Sequence, residues 1–196
     1  MKLLVSAFEP FAGARTNSSL ILAKELEKQN WNGQVDFHFP IPVTYKNAWQ
    51  NLLMKIQTDG PYDAVLALGQ SESRSKISLE RIALNWIDAR IADNQGTQIM
   101  NQKIKSGSEV LWSTIPWENF ELPSNCERSY SAGTFVCNHL MYELLCWNQN
   151  QGLKASFIHV PLIHGQENDF PSKTTQSLDD LLESMKKIIS FVLSLK

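Results

Sequence analysis

Three short apolar runs constrain this chain more than any other feature of it: Leu3-Leu-Val-Ser-Ala7, Ala64-Val-Leu-Ala-Leu68 and Ala155-Ser-Phe-Ile-His-Val160. None is long enough for a typical helix and none alternates strictly between polar and apolar, which is the pattern of a strand buried on both faces. Such strands need helices above and below them. The intervening segments carry that periodicity. Ser18 or Ser19 caps a run through Leu20, Ile21, Leu22 and Leu26; residues 45–56 form the next helix, closed by Asp59-Gly60-Pro61; another begins near Cys137; residues 178–195 form the last. Strand and helix alternating in this way predict an α/β fold, a three-layer α/β/α sandwich around an open, twisted, mainly parallel mixed sheet.

The remaining segments are less regular. Val35, Phe37 and Phe39 alternate with Asp36 and His38, so a strand is expected with His38 on its solvent face. Residues 77–86 read as a longer strand with no helix before it, hence a hairpin or antiparallel excursion, in which Glu80 shares a face with Ile82, Leu84 and Trp86. Residues 93–108 are turn-rich and are expected to form a loop lying over a site. Residues 110–117 read as a short edge segment, because Pro116 excludes a central position.

At 196 residues, with 43% hydrophobic and 19% charged, the chain can bury one sizeable core, and a single domain spanning residues 1–196 is expected. A net charge of −2 offers no basic field for nucleic acid or an anionic membrane surface. Glu9 and Pro10 interrupt the first apolar run, which reads as a strand and not as a leader, and no window has the apolar length of a membrane span. Three cysteines, an odd number, argue against a disulfide framework and for a reducing, cytoplasmic setting. Six tryptophans are expected in the core or at subunit contacts.

One stretch carries chemistry. In Ser131-Ala-Gly-Thr-Phe-Val-Cys137-Asn-His139 small residues with capping potential run into an amphipathic helix, which places Cys137 at the positive end of a helix dipole. N–H groups there favour a thiolate and suit the oxyanion of an acyl intermediate. The structural alternative is a cysteine acting as a small core hydrophobe. His139 lies about 200° around the helix from Cys137 and cannot be its base. His159, at the end of a strand stopped by Pro161, is the better candidate, with His164 in the following loop as its competitor. Glu80, a carboxylate among apolar neighbours, is the candidate for orienting the imidazole; its alternative is an ion pair with Arg74, Lys76 or Arg90. There is no Gly-x-Ser-x-Gly elbow, no phosphate-binding glycine loop and no metal-ligand spacing among the histidines and cysteines.

Five ordered motifs spread over nearly the whole chain make a more specific pattern: Phe8-Glu-Pro-Phe11; Leu68-Gly-Gln70; Ile77-Ser-Leu-Glu-Arg81 continuing to Asp88-Ala-Arg-Ile91 and Asp93-Asn94; the Cys137 stretch; and Phe157-Ile-His-Val-Pro161. In these the chain resembles pyroglutamyl-peptidase I (pyrrolidone-carboxylate peptidase), a family of cytoplasmic cysteine peptidases. The resemblance implies Cys137 as nucleophile, His159 as general base and then acid, and Glu80 as the orienting carboxylate. It implies Phe8 and Phe11 as walls of a lactam pocket, Asn17 and Gln70 near the ring, and Arg90 close to the catalytic groups. It also implies removal of an amino-terminal pyroglutamyl residue from peptides, no metal or organic cofactor, and a homotetramer.

The pattern departs from the family's usual one around the ring. Ala12-Gly13 stands for two glycines, Ser71-Glu72-Ser73-Arg74 for Ala-Gly-Gly-Arg, Asn17-Ser18-Ser19 for Asn-Pro-Ser, Arg90-Ile-Ala-Asp-Asn94 for Arg-Ile-Pro-Asp-Asn, and His164 for a proline. Two other readings therefore stand beside the first: a thiol hydrolase of the same fold with a different amino-terminal acyl group, and a non-catalytic homologue that binds small molecules or proteins.

Overall fold

The computed structural model of the chain describes residues 1–171 and 173–195. In order, the elements are β1 (Leu3–Phe8), α1 (Ser18–Glu27), β2 (Val35–Ile41), α2 (Ala48–Asp59), β3 (Ala64–Gln70), β4 (Ile77–Glu80), β5 (Ile82–Leu84), β6 (Val110–Trp112), β7 (Cys126–Ser129), α3 (Val136–Asn148), β8 (Lys154–Val160), β9 (Leu162–Ile163), β10 (Thr175–Gln176) and α4 (Leu178–Ser194). The three apolar runs become β1, β3 and β8, which are buried along their whole length apart from Lys154. They lie at the centre of an open six-stranded sheet of order β2-β1-β3-β8-β4-β7. Neighbours from β2 to β8 are parallel; β4 runs antiparallel to β8, and β7 is parallel to β4.

Alternate side chains of each central strand leave opposite faces. Leu3, Val5, Leu66, Leu68, Ile158 and Val160 pack with Leu22 and Leu26 of α1 and with Met185, Ile188 and Ile189 of α4. Leu4, Val65, Ala67, Ala155 and Phe157 pack on the other face with Leu52 and Ile56 of α2 and with Leu140, Met141 and Leu144 of α3. Each fully buried side chain of this size contributes about 1.5–3 kcal/mol. The driving force for the three layers therefore lies in these two interfaces, one on each face of a shared sheet.

Four local expectations are corrected. Asn17, not Ser18 or Ser19, caps α1: its side-chain oxygen accepts from Ser19 N at 2.9 Å and Ser19 Oγ at 2.7 Å. α2 starts at Ala48 and not at Tyr45, whose N–H donates to the Asp93 carboxylate at 3.0 Å ahead of the helix. The strand expected over residues 77–86 breaks at Arg81, whose N–H donates to Ser129 O at 2.7 Å while its carbonyl accepts from Ser113 N at 2.8 Å, handing the chain to a separate β5–β6 pair. Glu80 therefore does not share a face with Ile82, Leu84 and Trp86. His38 is half-buried, not on a solvent face, with Nε2 2.7 Å from Asn51 Oδ1 of α2. The antiparallel excursion itself is present, as β4 against β8.

Candidate active site

β8 lies between β3 and β4. The register sets His159 beside Gly69 on one side and Ser78 on the other, and Phe157 beside Ala67 and Glu80. Paired residues share a face, as do alternate residues of one strand. Gly69, Glu80, Phe157 and His159 therefore all present to the layer that contains α3. His159 Nδ1 is 2.8 Å from Glu80 Oε1. An ionised carboxylate only accepts, so the ring proton belongs on Nδ1 and Nε2 carries the lone pair. Glu80 is wholly buried and His159 is 6% exposed, so the pair is held away from competing water.

The thiol arrives from above. Residues 131–134 lead the chain from β7 to α3 through Gly133, whose φ of +76° lies in the region that favours glycine. Thr134 Oγ1 is spent on Asp88 O at 2.9 Å. The N-cap is Phe135, in an extended conformation and without a side-chain bond, so the capping expected from residues 131–134 is replaced by an open helix end. Cys137 is the second residue of that helix, among first-turn N–H groups that no cap side chain satisfies. Its sulfur sits over Gly69: a Cβ built there would lie 3.0 Å from Cys137 Sγ and 2.7 Å from Phe157 Cζ. Only a glycine lets the thiol descend to the strand position paired with His159.

Burial, and after it the Glu80 carboxylate, push the Cys137 thiol up to about 12; its own backbone N–H opposes this and is outweighed. The expectation of a thiolate held at rest by the helix end is thereby corrected. At neutral pH the group is a thiol that requires a base. His159, oriented by a carboxylate and paired in register with the Gly69 over which the sulfur sits, is the candidate to take that proton.

An aromatic row flanks the sulfur. Phe11 and Phe135 have ring centroids 6.3 Å apart, and Tyr45 stands edge-on to Phe135 at 5.7 Å and to His139 at 5.5 Å. His139 is thus a packing residue. Phe8 is 3% exposed and lies behind the row on Phe157, with centroids 6.3 Å apart. The loop after β1 is pinned by Glu9 Oε1, which accepts from Val43 N at 3.0 Å and from Asn94 Nδ2 at 2.8 Å. The turn-rich excursion thus meets the loop after β1 at its Asp93-Asn94 corner.

The other residues implied by resemblance divide. Asn17 is fully buried with both ends of its amide engaged, the capping oxygen and an Nδ2 that donates to Glu9 O at 2.9 Å, so it holds the loop rather than facing a ligand. Gln70 is 4% exposed; its Oε1 accepts from Ser18 N at 2.7 Å and Gln166 Nε2 at 2.9 Å, and its own Nε2 is buried without a partner. Arg90 is exposed, and among the described residues it forms no hydrogen bond or ion pair with Glu80, Cys137 or His159. The guanidinium that reaches Glu80 is Arg74, at 3.5 Å. His164 is exposed in the loop beyond β9. Sequence reasoning missed Asn138, buried next to Cys137 in the chain, which accepts from Leu84 N at 2.8 Å and donates to Leu84 O at 2.9 Å and Trp86 O at 3.0 Å, tying α3 to β5. Among the described residues, no group of three His, Cys, Asp or Glu side chains is placed to hold a metal ion, and no helix is long and apolar enough to cross a membrane.

A family model described as pyroglutamyl peptidase matches residues 1–194. The chain is 37% identical over 202 residues to a pyrrolidone-carboxylate peptidase of Thermoanaerobacter sp. (strain X514), covering 98% of each, and 34% identical over 203 residues to one from Fusobacterium nucleatum, covering 100% of this chain and 94% of that one. It superposes on a mutant pyrrolidone carboxyl peptidase from the hyperthermophile Pyrococcus furiosus with a TM-score of 0.88 at 33% identity, covering 98% of both chains. The corresponding values for pyroglutamyl peptidase I from Bacillus amyloliquefaciens are 0.86 and 28%, covering 99% of this chain and 95% of that one.

Proposed function

The chain belongs to the pyroglutamyl peptidase family, and from that premise we propose that it hydrolyses the peptide bond following an amino-terminal pyroglutamyl residue, with Cys137 as nucleophile, His159 as general base and acid, and Glu80 as the carboxylate that orients the imidazole. The observation that supports this reading is the Glu80–His159 hydrogen bond on β8 together with the Cys137 sulfur over Gly69, the β3 residue paired with His159.

The chemistry follows from the geometry. His159 Nε2 takes the thiol proton as Sγ attacks the carbonyl carbon of the pyroglutamyl residue, and the oxyanion forms where the open first turn of α3 offers N–H donors. The imidazolium, stabilised through Nδ1 by Glu80, gives its proton to the departing amine and leaves a thioester. Water, deprotonated by the same imidazole, then releases pyroglutamic acid and restores the thiol. Phe11, Phe135 and Tyr45 supply flat walls for a neutral five-membered lactam, with Phe8 supporting them from behind. A free amino terminus would bring an unpaired ammonium against these rings, so unblocked peptides are rejected.

The test is turnover of a pyroglutamyl-aminomethylcoumarin reporter by the full chain and by Cys137→Ala. The variant is expected to keep its circular dichroism spectrum and lose about 10³-fold or more in kcat. Undiminished turnover would remove Cys137 from the mechanism. The single-domain organisation, supported by one sheet shared between two core layers, belongs to the same proposal. So do a cytoplasmic setting, supported by three unpaired cysteines, and a homotetramer, which light scattering measures directly.

A further inference from the structure

The buried carboxylate of Glu80 raises a question of charge. Its partner His159 is neutral while it waits to act as a base, so in the resting site it contributes a hydrogen bond and no countercharge. Among the described residues the one permanent cation within ion-pair reach of Glu80 is Arg74, with Nη2 3.5 Å from Oε1. The same nitrogen donates to Ser129 Oγ at 2.9 Å and to the carbonyl of Ser131 at 2.9 Å, and Nη1 stands 3.5 Å from Glu127 Oε1. One planar fork thus joins the carboxylate at the end of β4, the end of β7, and the turn that delivers Cys137 to the head of α3.

We propose that Arg74 is a positioning residue for the hydrolysis: it keeps Glu80 ionised while His159 is neutral, and it holds the turn at residues 131–134 in register so that thiol and imidazole meet. The proposal rests on the assignment of Glu80, His159 and Cys137 made above. A fully buried carboxylate without a cation favours taking up a proton, and either recipient stalls the reaction. A protonated Glu80 no longer stabilises the imidazolium, and a protonated His159 is no base. The groups that face this cluster are Arg74 from the loop after β3, Glu127 from β7, His159 from β8 and Cys137 from α3, while β3 itself adds only the uncharged Gly69. Glu127 also accepts from Ser78 Oγ at 2.7 Å, so it is held in place without Arg74 and would add its own negative charge once the guanidinium is gone.

The experiment compares wild type, Arg74→Met and Arg74→Lys as full chains. Two profiles against pH are recorded: kcat/KM on the pyroglutamyl reporter, and the rate of Cys137 alkylation by iodoacetamide, with the adduct assigned by mass spectrometry. Removing a nearby cation favours every protonated form, so for Arg74→Met the acid limb of both profiles should move to higher pH, by about one unit for a partly exposed partner at this distance. kcat should fall about 10–100-fold with little change in KM. Arg74→Lys restores charge but not the fork, so its acid limb should return close to that of wild type while part of the kcat loss persists. Unmoved limbs in Arg74→Met, or a loss confined to KM, would overturn the proposal. If Arg74→Met fails to fold, Arg74→Lys decides alone: full wild-type kcat would refute the positioning role. The alkylation profile needs no turnover, so a wild-type enzyme that ignores the reporter would count against the proposed substrate and leave the Arg74 result readable.

Discussion

Replacing Gly69 with alanine is the sharpest single test of how this site is assembled. A methyl group at that position would lie 2.7 Å from Phe157 Cζ and 3.0 Å from Cys137 Sγ. Favourable contacts between carbon atoms lie at roughly 3.5–4.0 Å, so the overlap is about 1 Å at the ring and somewhat less at the sulfur. Phe157 is fully buried between β8 and α3 and has no free space to yield into. The displacement must therefore be shared by the head of α3, which carries the thiol. Overpacking of this kind costs about 1–3 kcal/mol, which for a chain of this length lowers Tm by roughly 2–12 °C. A displacement of about 1 Å between reacting groups costs on the order of 10²-fold in rate. Gly69→Ala is accordingly expected to fold, to melt a few degrees early in a calorimeter, and to lose about 100-fold in kcat/KM on the pyroglutamyl reporter. A variant with wild-type Tm and wild-type kcat/KM would show that the sulfur does not rest on β3, and the placement of the nucleophile beside His159 would be refuted.

Two further predictions concern protons. Glu80→Gln keeps the size of the side chain but permits the amide to donate towards Nδ1, favouring the wrong tautomer; kcat is expected to fall about 10²–10⁴-fold with a near-normal circular dichroism spectrum, and a loss under fivefold would show that the carboxylate does not set the ring. His139 is held below its usual range, chiefly by burial. Its protonation is thus easier in the unfolded chain, stability is full above about pH 6.5 and declines as pH falls below it, and His139→Phe, which retains the edge-on contact with Tyr45, should show a smaller drop in Tm between pH 7.5 and 5. Parallel curves for the two proteins would exclude His139 as a source of acid sensitivity.

How much of this was legible in the chain depended on the range of the physics involved. The runs at Leu3, Ala64 and Ala155 announced the buried strands because both faces of a covered strand are apolar, and that signal is local. Cys137 and His159 were legible as candidates because each sits at an element boundary, whereas Glu80 was singled out by an apolar alternation with Ile82, Leu84 and Trp86 that the break after β4 removes. What the pattern of residues did not convey was set by partners far along the chain. Asn17 displaced the serines as cap of α1 because its amide also had Glu9 O to hold. Tyr45 stands before α2 and is tied by its N–H to a carboxylate at residue 93. Arg81 ended β4 because Ser129 and Ser113 took its two backbone groups, and β7 itself, Cys-Glu-Arg-Ser, has no alternation to announce a strand. Arg74 rather than Arg90 reached Glu80 because the loop after β3 and the end of β7 meet only in the folded sheet, a proximity to which no periodicity points.

The raised affinity of the Cys137 thiol for its proton bears on why a carboxylate stands behind the imidazole at all. In the proposed mechanism Glu80 acts twice, and with opposite sign: its charge opposes ionisation of the sulfur, yet it would favour the imidazolium that the same proton transfer creates. Coulomb energy falls with distance. The carboxylate touches the imidazole at 2.8 Å, whereas it acts on the thiol by charge alone, with no hydrogen bond between them among the described residues. The favourable effect is therefore the larger, and the proton's passage from sulfur to nitrogen is helped by a group that, taken with the thiol alone, would hinder it. In that proposal a half-buried thiol stays protonated until an imidazole draws off its proton and then attacks a carbonyl seated at the head of α3. On this account Glu80→Gln should depress turnover even though it removes a charge that opposes the thiolate, an outcome that separates stabilisation of the imidazolium from activation of the sulfur itself.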